Sequence, residues 1–356
     1  MTAAHLGLIE GFYGRPWTAA ARAETIAFLQ PHGYGLYLYA PKADPYLRRR
    51  WREPFPVTDA EGLAALSAHC RGLGVRFGVG LSPYEIYRSF DDTDRADLAR
   101  KLAELDALGV SDLAILFDDM RGDLPDLAQA QIAIMDWIGA RTGASRLIFC
   151  PTYYSDDPLL DRAFGRRPEG YLETLGAGLD PAIGVFWTGE EVCSRAFGVR
   201  HLERVGEQLR RSPVLWDNYP VNDGPVMSQA LHLRAFTGRP AAMASKTAAH
   251  IVNPASQAVL SRIPALTLAE SYAEAEAYDY GAAFARAARA VLGEELAALL
   301  QPDLNQLQDT GLDRLSEAQR TRLRNRYAAF DHPGAREIVD WLDGAWRITR
   351  EEIEAS

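Results

Sequence analysis

Residues Asp118 and Asp119 are two consecutive carboxylates that end an apolar, strand-like run, Ala114-Ile115-Leu116-Phe117. Paired acids of this kind suit hydrolysis of a glycosidic bond. One carboxyl group must hold a proton for the leaving oxygen, and a second must stabilise or activate the nucleophile. Two aspartates could also hold a divalent cation, but no histidine stands at a strand end and Lys42 would oppose a metal there, so neither a metal nor a cofactor is expected. Neighbouring strand residues point to opposite faces, which hinders joint action by the two acids. If the ladder stops at Phe117, a bend or bulge lets both side chains turn to one mouth. Taken singly, either Asp could instead be a turn former or helix cap.

Such a pair needs a scaffold to hold it. The 356 residues are 47% hydrophobic and 24% charged, the balance of a globular enzyme. With a net charge of −10 and no Lys/Arg block, nucleic acid is not an expected partner. Cys70, Cys150 and Cys193 are too few and too scattered for a disulfide framework or a zinc cage. The chain shows neither a leader pattern nor an apolar run long enough for a bilayer, so no membrane association and a cytoplasmic setting are expected.

Eight short apolar runs, at 6–13, 35–42, 76–83, 112–120, 145–154, 182–189, 213–219 and 250–255, alternate with segments of helical period. That alternation predicts an α/β fold, a (β/α)8 TIM barrel, over residues 1–265, followed by a C-terminal α-helical region over 266–356. Thr18 is a candidate helix cap, Thr58 with Glu61 reads as a capping box, and a helix at 93–109 should end on Gly109. Further helices are expected at 126–141, 199–211 and in parts of 227–249, while 154–178 reads as a long loop over a site. In the tail, helical periods cover 271–300, 316–330 and 335–354, read as an appendage packed on the barrel flank.

In such barrels the active site forms at the C-terminal ends of the strands. Those positions hold Glu10, Gly11, Tyr13, Lys42, Asp44, Ser82, Asp118, Asp119, Thr152, Tyr153, Tyr154, Thr188, Glu190, Trp216, Asp217, Asn218, Asn222, Asp223 and Asn253. Carboxylates, amides, phenols and an indole suit a sugar, whose hydroxyls need paired donors and acceptors and whose apolar face stacks on rings. Alone, Trp216 would pass for core, Lys42 for a surface charge and Asn253 for a turn residue.

Seven ordered segments carry a resemblance: GLIEGFYGRPW (7–17), YLYAPKADPY (37–46), LFDDM (116–120), CPTYY (150–154), FWTG (186–189), LWDNYPVND (215–223) and VNPAS (252–256). Together they resemble glycoside hydrolase family 84, the β-N-acetylglucosaminidases that include enzymes removing O-linked N-acetylglucosamine from proteins. The resemblance implies retaining, substrate-assisted hydrolysis, in which the sugar's 2-acetamido oxygen attacks C1 and an oxazoline forms. It assigns Asp118 to the acetamido N–H and Asp119 to proton transfer to the leaving oxygen and then from water. Such a pair must titrate apart. By the same pattern Tyr154 bonds the acetamido oxygen, Trp216 surrounds its methyl group and Asn218 positions the acetamide and Asp118. Gly11, through its backbone, and Lys42, Asp223 and Asn253, through side chains, read the sugar hydroxyls.

The implied partner is an N-acetylglucosaminide on a glycopeptide or glycan, with a homodimer through the C-terminal helices as a further expectation. Other domains common in the family are not seen, and Arg121-Gly122-Asp123 after the acids matches no assigned pattern. The alternatives are a non-catalytic N-acetylglucosamine-binding barrel and a conventional retaining glycosidase acting on glycans.

Overall fold

The computed structural model describes residues 5–355. Its centre is a closed barrel of eight parallel strands in sequential order, the last pairing with the first. The strands are β1 (Leu6–Glu10), β2 (Tyr34–Tyr39), β3 (Arg76–Leu81), β4 (Asp112–Leu116), β5 (Arg146–Cys150), β6 (Gly184–Trp187), β7 (Val214–Asp217) and β8 (Ala249–Val252). All eight expected strands are present, each ending before the expected run does, so that apart from Glu10 and Asp217, which close β1 and β7, the polar strand-end residues come after the ladder. Those residues lie in the loops above the barrel, free of the alternation that a ladder imposes.

Around the barrel run α1 (Ala19–Leu29), α2 (Val57–Gly72), α3 (Asp92–Ala107), α4 (Leu127–Gly139), α5 (Pro158–Phe164), α6 (Tyr171–Gly178), α7 (Val199–Leu209) and α8 (Ala258–Glu274). Thr18 caps α1 as expected, its side chain accepting from the Ala21 N–H. Thr58 does not cap α2. That helix begins at Val57 after Pro56, so Thr58 already lies within the first turn and bonds Asp59 instead. Asp91 caps α3, accepting from the Thr93 and Asp94 N–H groups, and the expected stop is present where Gly109 turns left-handed.

The expected loop at 154–178 contains both α5 and α6. Asp157 caps α5 with Pro158 behind it, but seven- and eight-residue helices are too short to display a period. Conversely, 227–249 holds no α-helix but two 3₁₀ turns, Met227–Gln229 and Ala241–Ser245, before Ala249 opens β8, in a segment punctuated by Gly238 and Pro240.

After the barrel come α9 (Tyr280–Leu292), α10 (Glu294–Leu304), α11 (Glu317–Tyr327), α12 (Pro333–Leu342) and α13 (Arg350–Ala355). A cap at Asp279 and a glycine with positive φ at Gly293 divide the period expected over 271–300, and Gly344 lies between α12 and α13. The helix α8 runs unbroken across residues 265 and 266 with Pro264 inside it, packed against α1 on one side and α9 on the other. Tail and barrel share one buried apolar cluster. Glu337 of α12 accepts from the Val259 and Leu260 N–H groups (both 2.9 Å), putting a carboxylate on the positive N-terminus of α8. Trp341 donates to the Ser228 carbonyl, and the Leu231 N–H bonds the Leu307 carbonyl at 2.9 Å.

Candidate active site

The two acids share a face because of the backbone where β4 ends. The ladder continues one bond past the strand, from the Phe117 N–H to the Cys150 carbonyl (2.9 Å), and then Asp119 takes φ +57°. This left-handed turn breaks the two-residue alternation and brings both carboxylates to one cavity. The cavity, about 200 Å³, sits at the C-terminal mouth of the barrel. All nine site residues expected from sequence line it: Gly11, Lys42, Asp118, Asp119, Tyr154, Trp216, Asn218, Asp223 and Asn253.

Lys42 forms a buried ion pair with Asp118 Oδ2, while Asp118 Oδ1 is buried with no hydrogen-bond partner. Asp119 accepts from two phenols, Tyr13 (2.7 Å to Oδ2) and Tyr154 (3.2 Å to Oδ1). On the opposite wall the Trp216 indole N–H donates to Asn218 Oδ1 (3.0 Å), which also accepts from Asn253 Nδ2 (2.9 Å). Asn218 Nδ2 donates to the Val192 carbonyl (2.8 Å), and the Gly11 N–H donates to Asn253 Oδ1 (3.2 Å). Every polar atom of the Asn218 amide is thereby oriented. Gly11 must be glycine here, since a Cβ would lie 2.4 Å from Trp216 Cζ2.

Charge in the pocket is unevenly arranged. Burial works to raise the Asp119 carboxyl, but the charges of Lys42 and Arg48 and the Tyr13 and Tyr154 hydroxyls outweigh it and hold the group below its usual range. The raised carboxyl is Asp223, which burial, helped by the negative Asp119, pushes up to about 6 against the Tyr13 N–H (2.9 Å). Burial and then the two carboxylates raise Tyr154 well above the usual phenol range, so it acts as a neutral donor. Among the described residues no group of three His, Cys, Asp or Glu side chains is placed to hold a metal ion.

Several strand-end residues serve the frame instead. Glu10 turns outward to Arg22 (2.7 and 2.8 Å), Tyr37 and the Trp17 N–H. Asp217 is clamped by Arg239 (2.7 and 2.9 Å) and His250 (2.9 Å), fixing the β7 end beneath Trp216 and Asn218. Asp44 caps the 3₁₀ turn Pro45–Leu47, and Thr152 bonds the Phe117 carbonyl and Gln131. Sequence reasoning missed Cys150, Val192, Cys193, Val221 and Ile353 as cavity walls and Arg48 behind Tyr13. Cys150 stands inside the CPTYY segment, a signal that was available; Ile353 had none.

A closed parallel barrel whose C-terminal mouth holds paired acids among amides, phenols and an indole is the architecture of a glycoside hydrolase. The chain belongs to the β-N-acetylglucosaminidase family, glycoside hydrolase family 84, whose profile matches residues 6–302. Protein O-GlcNAcase of Rattus norvegicus is 32% identical over 275 residues, covering 75% of this chain and 30% of that protein, and the Mus musculus enzyme matches to the same extent. The chain thus spans less than a third of the length of these curated relatives. A mutant of the Thermobaculum terrenum O-GlcNAc hydrolase superposes with TM-score 0.78 at 29% identity, over 95% of this chain and 80% of that one. The structure of CpGH84B shares the fold, with TM-score 0.78 at 24% identity, 95% of this chain and 66% of the other.

Proposed function

We propose that the protein is a retaining β-N-acetylglucosaminidase that removes terminal β-linked N-acetylglucosamine, including the sugar on Ser and Thr of proteins, by substrate-assisted catalysis. The observation that carries this reading is the asymmetry of Asp118, which lines the cavity: Lys42 holds one carboxylate oxygen, and the other is buried without a hydrogen-bond partner. A buried acceptor without a donor is costly, and an acetamido N–H would satisfy it. Asp118 then steers the acetamido oxygen to C1 and stabilises the charged oxazoline. Tyr154 donates to that oxygen, Trp216 encloses the methyl group, and Asn218 holds the acetamide in register. The hydroxyls go to the Gly11 backbone, Lys42, Asp223 and Asn253.

Asp119 is the proton carrier in this scheme. When Tyr154 turns to the acetamido oxygen, Asp119 loses one of its two donors and the sugar excludes water, and both changes favour the protonated carboxyl. Asp119 then protonates the leaving oxygen, and its carboxylate takes a proton from the water that opens the oxazoline. Aryl N-acetyl-β-glucosaminides and a glycopeptide test the reading, with NMR following the first-formed anomer. Hydrolysis with retention, blocked by a thiazoline mimic of the oxazoline, is expected. Sugar binding without turnover would indicate a non-catalytic barrel, and turnover indifferent to the thiazoline a conventional nucleophile.

The partition into a barrel over 1–265 and an appendage over 266–356 belongs to the same reading, as does a homodimer through the C-terminal helices. Tyr280, exposed on α9, is an apolar side chain offered to such a dimer, and sedimentation velocity tests it. A cytoplasmic setting is supported by three free cysteines. Among the described residues no helix is long and apolar enough to cross a membrane.

A further inference from the structure

Arg48 follows the 3₁₀ turn Pro45–Leu47 in the loop after β2 and is only 5% exposed. A buried guanidinium calls for partners. This one donates from Nη1 to the Tyr13 phenol oxygen (3.2 Å) and leaves its Nε buried and unpartnered. The cation lies 5.8 Å from the ring centroids of both Tyr13 and Tyr84, which fix it from two sides. Tyr13 in turn donates a hydrogen bond from its hydroxyl to Asp119 Oδ2 (2.7 Å). Guanidinium, phenol and carboxylate therefore form a directed chain, in which a donor on the phenol oxygen makes the phenol a stronger donor in turn.

We propose that Arg48 is a positioning residue which, through the Tyr13 phenol, aims the Asp119 carboxyl and sets the pH at which it gives up its proton. This rests on the reading of Asp119 as proton carrier. Asp119 faces Tyr13 from the β1 loop, Lys42 and Arg48 from the β2 loop, Asp118 beside it, Cys150 and Tyr154 at the β5 end, and Asp223 from the β7 loop. Of the two cations, Lys42 is in contact with Asp118. Arg48 reaches a carboxylate by way of Tyr13, and that carboxylate is Asp119. When Tyr154 leaves Asp119 for the substrate, the Arg48–Tyr13 arm is the contact that still orients the acid. A positive charge one phenol away makes the protonated acid a better donor to poor leaving groups and brings its loss of the proton to lower pH.

The test is the pH profile of kcat, which reports the acid in the enzyme–substrate complex, for an aryl N-acetyl-β-glucosaminide with an unactivated phenol, in wild type, Arg48→Met, Arg48→Lys and Tyr13→Phe. The alkaline limb is expected to move up by about one pH unit in Arg48→Met and Tyr13→Phe and to return toward wild type in Arg48→Lys. A merely structural role would lower the rate at every pH and leave the limb in place. Carboxyl ¹³C titration of aspartate-labelled protein, assigned with Asp119→Asn, reads the same shift without turnover. It therefore separates failure of this proposal from failure of the glycosidase reading. An Asp119 titration unmoved in Arg48→Met overturns the proposal whatever Tyr13→Phe does, and Arg48→Gln takes its place if Arg48→Met does not fold.

Discussion

The left-handed turn at Asp119 shows how one residue can reconcile strand geometry with paired acids. A non-glycine residue there costs about 1–2 kcal/mol, offset by the hydrogen bonds from Tyr13 and Tyr154 that the turn permits. Asp118→Asn keeps the shape but gives up the charge that meets Lys42 and, in the proposed mechanism, the developing oxazolinium. A loss of about 10²–10³ in kcat is expected, measured with an activated aryl substrate that needs little acid help. Asp223 predicts a second pH effect. Its carboxyl is pushed up to about 6 by burial, so it is ionised above that pH, as its proposed role of accepting from sugar hydroxyls requires, and neutral below it. Accordingly kcat/KM should fall as pH drops through 6, and Asp223→Asn should flatten that limb while losing about 10- to 100-fold at neutral pH. An acid limb that survives in Asp223→Asn would assign it to another group. The nine motif residues were legible because their types are chemical and their segments lie at strand ends. Arg48 was not, because in the run Arg48-Arg49-Arg50 nothing marks which of three cations turns inward.

Elements were legible in proportion to their length and regularity. Apolar strands buried along their length announce themselves, whereas α5 and α6 hide in a polar stretch and are fixed by a cap at Asp157 and by packing of Leu160, Tyr171 and Leu175. The start of α8 depends on a residue no local pattern reveals, Glu337, 77 and 78 positions from the amides it bonds. Burial raises its carboxyl to about 7, against the two amide hydrogens that favour its charge. The folded value lies above the unfolded one, so this group's contribution to stability is complete below the unfolded pKa and is lost as pH rises to about 7. Glu337→Gln should be less stable overall yet lose less stability between pH 5 and 8 than wild type, by of the order of 1 kcal/mol in urea unfolding. An equal loss in both proteins would remove Glu337 from the pH response.

At the scale of the whole molecule, the tail returns to the site that the barrel builds. The segment after Gly344 brings Trp346 to Arg15 (6.0 Å, cation over ring), seats Ile348 beside Gly14, and receives a hydrogen bond from Arg49 at the Glu354 carbonyl (3.1 Å). A side chain at Gly14 would collide with Ile348 at 2.7 Å, so the β1 loop and the tail are fitted to one another. Ile353 thereby joins Tyr13 and Asp223 in the cavity wall, although 234 positions separate it from Asp119, a distance no local sequence pattern spans. Its place in that wall makes it a candidate contact for the leaving group rather than for the acetamide, which the Asp118, Tyr154 and Trp216 side is proposed to hold. Ile353→Ser removes apolar surface there without adding charge. It should raise KM for a glycopeptide by about 3- to 10-fold and leave hydrolysis of a small aryl glycoside nearly unchanged. Equal effects on both substrates would mean that the tail props the barrel loops, whereas a glycopeptide-specific effect would make residues 344–355 part of the surface that meets the aglycone.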